Sequence, residues 1–127
     1  MLWIALITCL ILITYVGSVL LVGYTRVKTG IKAPATTGDE RFEIAYRCQM
    51  NTLEQMVVAI PSMWLLATYQ SVSLAIGLGT AFIIGRVIYI VCYVRDPNSR
   101  AVGFSIGFLA SMAMLIGAIY GIIRSLV

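Results

Sequence analysis

The chain has 127 residues, of which 61% are hydrophobic and only 11% charged. A soluble domain carries about 25% charged residues, and one this small has too little interior to hide so much apolar surface, so water is excluded as the main solvent and a bilayer takes its place. The net charge of +4 does not point to nucleic acid: Arg26, Lys28, Lys32, Arg41 and Arg47 lie in or beside one connector and Arg95 and Arg100 in another, the bias that the positive-inside rule describes.

The N-terminal segment, Leu2 to about Tyr24, contains no charge and is long enough to span. It has no basic stretch at its start and is longer than a signal-peptide core, so it is expected to remain as a first membrane helix. Connector one follows, from Thr25 to about Glu40, with Gly30, Pro34 and Gly38 and most of the charge. It is the one long loop, and such loops tend to be functional.

The second segment predicts one long helix, about 39–69. Its first half is polar (Arg41, Glu43, Arg47, Gln49, Asn51, Glu54). Its second half, Met56 to Thr68, is apolar and includes Pro61, which neighbouring helices can compensate. A short uncharged turn near Gln70 leads to a third helix, about 72–94, interrupted by one charge, Arg86. The stretch from Arg95 to Arg100 is a tight basic turn in which Asp96, Asn98 and Ser99 are all candidate N-caps. A fourth helix, about 101–123, is rich in small residues (Gly103, Ser105, Gly107, Ala110, Ser111), which let membrane helices approach closely.

The expected fold is therefore all-α: one domain over residues 1–127, an up-down bundle of four membrane helices. Both termini then fall on one side and connectors one and three on the other. The positive bias puts those connectors in the cytoplasm. The ending Arg124-Ser125-Leu126-Val127 carries no dilysine-type retrieval signal, which favours a bacterial inner membrane over endoplasmic reticulum.

The chain has three cysteines, no Cys-x-x-Cys pair and no histidine. No metal site and no Cys–His nucleophile pair are expected. The informative residues are charges inside membrane helices, each costing about 2.5–3.5 kcal/mol at mid-bilayer on insertion scales. On the second helix Arg47, Asn51 and Glu54 fall within about 60° of one another, while Gln49 points about 160° away from Arg47. One helix thus offers polar groups on two faces, which a symmetric oligomer could use at two sites. On the third helix Arg86, Tyr89 and Tyr93 share a face, and Arg100 stands beside the start of the fourth, where helix N–H groups favour an anion. Arginines for carboxylates, amides for peptide groups and tyrosines for contact would suit a small anionic, peptide-like ligand. The plainer alternatives are an Arg47–Glu54 structural ion pair, interfacial tyrosines, and arginines that only mark topology.

The segment from Arg47 to Glu54 resembles the RxQxNxxE signature of the MAPEG family (membrane-associated proteins in eicosanoid and glutathione metabolism). That family includes microsomal glutathione transferases, leukotriene C4 synthase and microsomal prostaglandin E synthase. The segment from Gly85 to Tyr93, followed by Arg100, resembles its third helix and the start of its fourth. Gln55 departs from the tyrosine that some members carry, and Pro61 lies further from Glu54 than is usual. The resemblance implies a homotrimer with glutathione, as co-substrate, between neighbouring chains. It implies Arg47, Asn51 and Glu54 as glutathione ligands, completed by Arg86, Tyr89 and Tyr93, with Gln49 reaching a site shared with the adjacent chain and Arg26 as a further carboxylate ligand. Arg100 matches the arginine proposed to activate the thiol. The implied function is a membrane-bound glutathione transferase acting on a lipophilic electrophile, or reducing a lipid hydroperoxide. The alternative is a non-catalytic membrane lipid- or ligand-binding protein of the same fold, against which Arg100 stands because the lipoxygenase-activating member lacks that arginine. A small drug exporter would need an acidic residue in the first helix, and Met1 to Tyr24 has none.

Overall fold

The computed structural model describes residues 1–127. It contains four α-helices, α1 (Leu2–Thr29), α2 (Glu40–Tyr69), α3 (Val72–Arg95) and α4 (Ala101–Leu126), with one 3-10 turn at Pro97–Ser99. Three stretches, Leu2–Thr29, Val72–Arg95 and Pro97–Leu126, are long and apolar enough to cross a membrane. The polar start of α2 keeps it below that mark. With 30 residues α2 is about 45 Å long, against about 30 Å of hydrocarbon. Its apolar half fits the bilayer while its first turns extend beyond it, beside connector one.

α1 runs further than the apolar pattern suggests, to Thr29, and closes on Gly30 at φ 72°. The helix continues because Arg26 and Lys28 can lie along it with their charges at the surface. Asp39, expected inside α2, is its N-cap and accepts from the Arg41 N–H. Ser71 caps α3 and accepts from the Leu74 N–H. At the third connector the expected caps are corrected. Asp96 caps the 3-10 turn by accepting from the Asn98 N–H, and Arg100 itself occupies the N-cap of α4 with no side-chain cap bond. Pro97 explains this, because its fixed φ starts the tighter turn three residues early.

α2 packs on α1, α3 and α4, and α3 also packs on α1 and α4. One apolar core runs through the four helices: Ile4, Ile7 and Ile11 from α1, Met63 and Leu66 from α2, Phe82 from α3 and Met114 from α4. Trp64 Nε1 donates to Thr8 Oγ1 at 3.0 Å, tying α2 to α1. α3 and α4 approach through glycine: a Cβ on Gly85 would lie 2.6 Å from the Gly107 nitrogen, and one on Gly103 would collide with the backbone of Tyr89. That approach sets the depth at which the start of α4 meets the end of α3.

Candidate active site at the connector end

A cleft of about 410 Å³ opens among α2, α3 and α4, lined by Arg47, Asn51, Tyr89, Arg100, Ala101, Phe104 and Ser105. Arg47 and Asn51 are one helical turn apart on α2, and Ala101 and Ser105 one turn apart on α4, so two helix faces wall it. Four of the expected residues, Arg47, Asn51, Tyr89 and Arg100, line this space together.

Glu54 stands behind Arg47. Two parallel bonds, Nη1 to Oε1 at 3.2 Å and Nη2 to Oε2 at 3.4 Å, join their forked groups. Both side chains are about half exposed, at 53% and 51%. Tyr93 stands behind Arg100, which donates to its hydroxyl at 3.5 Å and lies 5.4 Å from its ring. Tyr89 and Tyr93 are tilted against each other at 5.4 Å, and Tyr89 also meets Phe104.

Arg86 is 1% exposed and lies inside the bundle. Its Nη2 donates to Asn51 Oδ1 at 2.9 Å and to Thr52 Oγ1 at 3.1 Å. Its guanidinium lies 4.1 Å from the Tyr89 ring centre. Arg86 therefore reaches the cleft through Asn51 and Tyr89 and is not itself one of its walls.

Gln49 and Arg26 lie elsewhere in this chain. Gln49 faces α1 and donates to the Tyr15 hydroxyl at 3.4 Å, which agrees with its expected separate face. Arg26 stacks over Phe42 at 4.5 Å and donates to the Ala35 carbonyl at 2.9 Å, holding connector one against α2. Sequence reasoning did not single out Ala101 or Phe104 as cleft walls, or Thr52 as an anchor for Arg86. The signal for the first two was available: Ala101 and Phe104 follow Arg100 at one and four residues, on the same side of the first turns of α4. Thr52 gave none, because a threonine in a membrane helix usually bonds its own backbone, as Thr52 also does to the Cys48 carbonyl.

Two arginines on the cleft wall, a third behind it and one carboxylate already paired make the cleft electropositive. The fold and the cleft define a helical membrane protein with an electropositive cleft at one end of its bundle. Comparison of the sequence with known families agrees: residues 3–120 match the model of the MAPEG family, and the chain belongs to that family. An uncharacterised protein from Synechocystis sp. is 42% identical over 126 residues, covering 99% of this chain and 92% of its own length. Microsomal glutathione S-transferase 2 of Homo sapiens is 36% identical over 96 residues, covering 74% of this chain and 65% of the human protein. The Bos taurus protein of the same name is 33% identical over 106 residues, covering 82% of this chain and 71% of its own length.

Proposed function

We propose that the protein is a membrane-bound glutathione transferase in which the cleft holds glutathione and Arg100 favours its thiolate. The observation that carries the reading is the convergence of Arg47, Asn51, Tyr89 and Arg100 on one polar cleft at the bundle end. Relatives named as microsomal glutathione S-transferases support it. Arg47, oriented by Glu54, takes a ligand carboxylate, and the Asn51 amide and Tyr89 take the peptide portion. Tyr93 steadies Arg100. The other ligands come from a neighbouring copy, with Gln49 and Arg26 of one chain serving the next site in a homotrimer. The charged connectors face the cytoplasm of a bacterial inner membrane, where glutathione is supplied.

The chemistry needs little from the protein. A free thiol of pKa about 8.5 is only a few per cent thiolate at pH 7. Lowering that pKa by about two units requires about 2.7 kcal/mol, within reach of one partly desolvated guanidinium beside a helix start. The thiol proton leaves to water. The sulfur lone pair then forms a C–S bond with a lipophilic electrophile from the bilayer, and the leaving group departs with its electron pair. With a lipid hydroperoxide the thiolate instead attacks the terminal oxygen and breaks the O–O bond, giving a sulfenic acid and an alkoxide that takes a proton from water to become the alcohol. A second glutathione converts the sulfenic acid to disulfide and water.

The test is to purify the protein in detergent, measure glutathione binding, and follow thiolate absorbance and conjugation of a generic aryl halide. Wild-type protein is expected to bind glutathione with a depressed thiol pKa, and Arg100→Leu to bind it with a nearly normal one. Equal thiol pKa and equal turnover in the two proteins would remove Arg100 from the mechanism. Binding without conjugation across aryl halides, enones and hydroperoxides would favour the non-catalytic alternative.

A further inference from the structure

Arg86 is fully buried, yet no carboxylate in the chain neutralises it. The ion pairs are Arg41–Asp39 and Arg47–Glu54, and Arg86 Nε and Nη1 find no acceptor. A buried arginine of this kind is costly and would be exchanged for an apolar side chain without loss if it served packing alone.

Its bonds are selective. A guanidinium only donates. By taking Asn51 Oδ1 at 2.9 Å it fixes the Asn51 amide in one of its two orientations. The Asn51 carbonyl is occupied and the NH2 group is left to face outward. Thr52 holds the same Nη2 from the other side at 3.1 Å, and its own proton is committed to the Cys48 carbonyl at 2.7 Å. Asn51 is 8% exposed, and what it shows belongs to the cleft wall. Without Arg86 the amide could turn over and present an acceptor, which repels carboxylate and carbonyl oxygens alike.

We infer that Arg86 is a positioning residue that locks Asn51 as a hydrogen-bond donor toward the cleft and places an unneutralised positive charge behind it, so that the site selects a ligand with an anionic or carbonyl oxygen at that point. Arg86 touches no ligand in this scheme. The inference rests on the glutathione reading for the identity of the ligand, but the state of the Asn51 amide does not depend on it.

The chain contains two asparagines, Asn51 and the exposed Asn98, so asparagine labelled with ¹⁵N gives two side-chain amide signals, one of them an internal reference. In wild-type protein the Asn51 pair is expected to be displaced from the Asn98 pair and slow to exchange. In Arg86→Met it moves toward the Asn98 position. Glutathione affinity then falls about tenfold, the size of one lost charge-backed hydrogen bond, while the thermal midpoint of the ligand-free protein does not fall. Asn51→Ala loses about as much, and the double variant loses no more than Asn51→Ala alone. Arg86→Lys, which keeps the charge and a donor, recovers part of both effects and decides the matter if the Met variant does not fold. Unchanged Asn51 signals in the Arg86 variants overturn the inference. So does a multiplied, about hundredfold loss in the double variant, which would make Arg86 a direct ligand group. A wild-type protein that binds no glutathione overturns the glutathione reading instead, and the amide signals still decide the role of Arg86.

Discussion

Arg100 sits at the cleft wall with its hydroxyl partner Tyr93 behind it, and the thiol activation proposed for it has a defined pH signature. If the bound thiol titrates near pH 6.5, about three quarters of it is thiolate at pH 7, against about 3% for a thiol at pH 8.5. Lowering the thiol pKa stabilises the deprotonated form, so the advantage exists at neutral pH and disappears as pH rises past the free thiol value. Arg100→Leu should therefore lose roughly twentyfold in conjugation rate at pH 7 and approach wild type near pH 9.5. A constant deficit across that range would assign Arg100 to binding alone. Arg47 and Glu54 show how far the residue scale was legible. Their seven-residue spacing places them on one face, and they do pair. A half-exposed pair contributes only about 0–1 kcal/mol to stability, so Arg47→Ala should leave the thermal midpoint almost unchanged while weakening glutathione binding at least about tenfold. A large fall in the midpoint with unchanged affinity would make the pair structural. Arg86 was less legible. Helical spacing put it on a face with Tyr89 and Tyr93, but whether that face looks into the cleft or into the bundle depends on where α4 lies.

The position of α4 is an element-scale property set by glycine. Small residues in the fourth segment announced a close approach but not which ones make it. Gly103 does: a side chain there meets the Tyr89 backbone, which cannot swing aside as a flexible side chain can. Gly103→Ala is expected to cost about 3 kcal/mol or more and to part α4 from α3, separating Arg100 from Tyr93. Gly77 on α3 is the control, since a Cβ there would meet nothing within 4 Å, and Gly77→Ala should hold or raise the thermal midpoint. Equal midpoints in the two variants would mean that the α3–α4 approach is not what fixes the bundle. The helix ends follow a similar logic. Asp39 was legible as a polar residue near the start of α2 but not as its cap, since Glu40 beside it is equally acidic. The side-chain hydrogen bond from Arg41 holds the Asp39 carboxyl below its ordinary range. A lowered carboxylate pKa adds stability above the unfolded value of about 3.9 and loses it as pH falls through the folded value. Asp39→Asn keeps a capping oxygen without that titration, so wild type should lose more stability than Asp39→Asn between pH 6 and pH 3.

At the scale of the whole molecule, the four-helix fold followed from composition and charge placement, because few other arrangements satisfy the backbone in a bilayer. The assembly is a different matter. A single chain leaves Arg47 and Glu54 about half exposed on α2, with Gln49 half-buried on another face against Tyr15. α2 also has no stretch apolar enough to be counted with the other three spans. Facing lipid, the polar half of α2 would be costly wherever it enters the hydrocarbon. Packing α2 helices around a common axis would remove that cost, because each polar stripe would then meet a neighbour. Such closure would be symmetric, and under the proposed function the cleft of one chain would be completed by the next. The prediction is that native mass measurement in mild detergent finds three copies, that glutathione binding is lost when the copies are separated by harsher detergent, and that mixed assemblies of Arg47→Ala and Gln49→Ala chains recover binding at a fraction of sites where each parent alone is weak. Recovery requires that Arg47 and Gln49 reach a given ligand from different chains. A monodisperse single chain that binds glutathione as tightly as the assembly would leave each cleft complete by itself, and the exposed polar face of α2 would then need another partner.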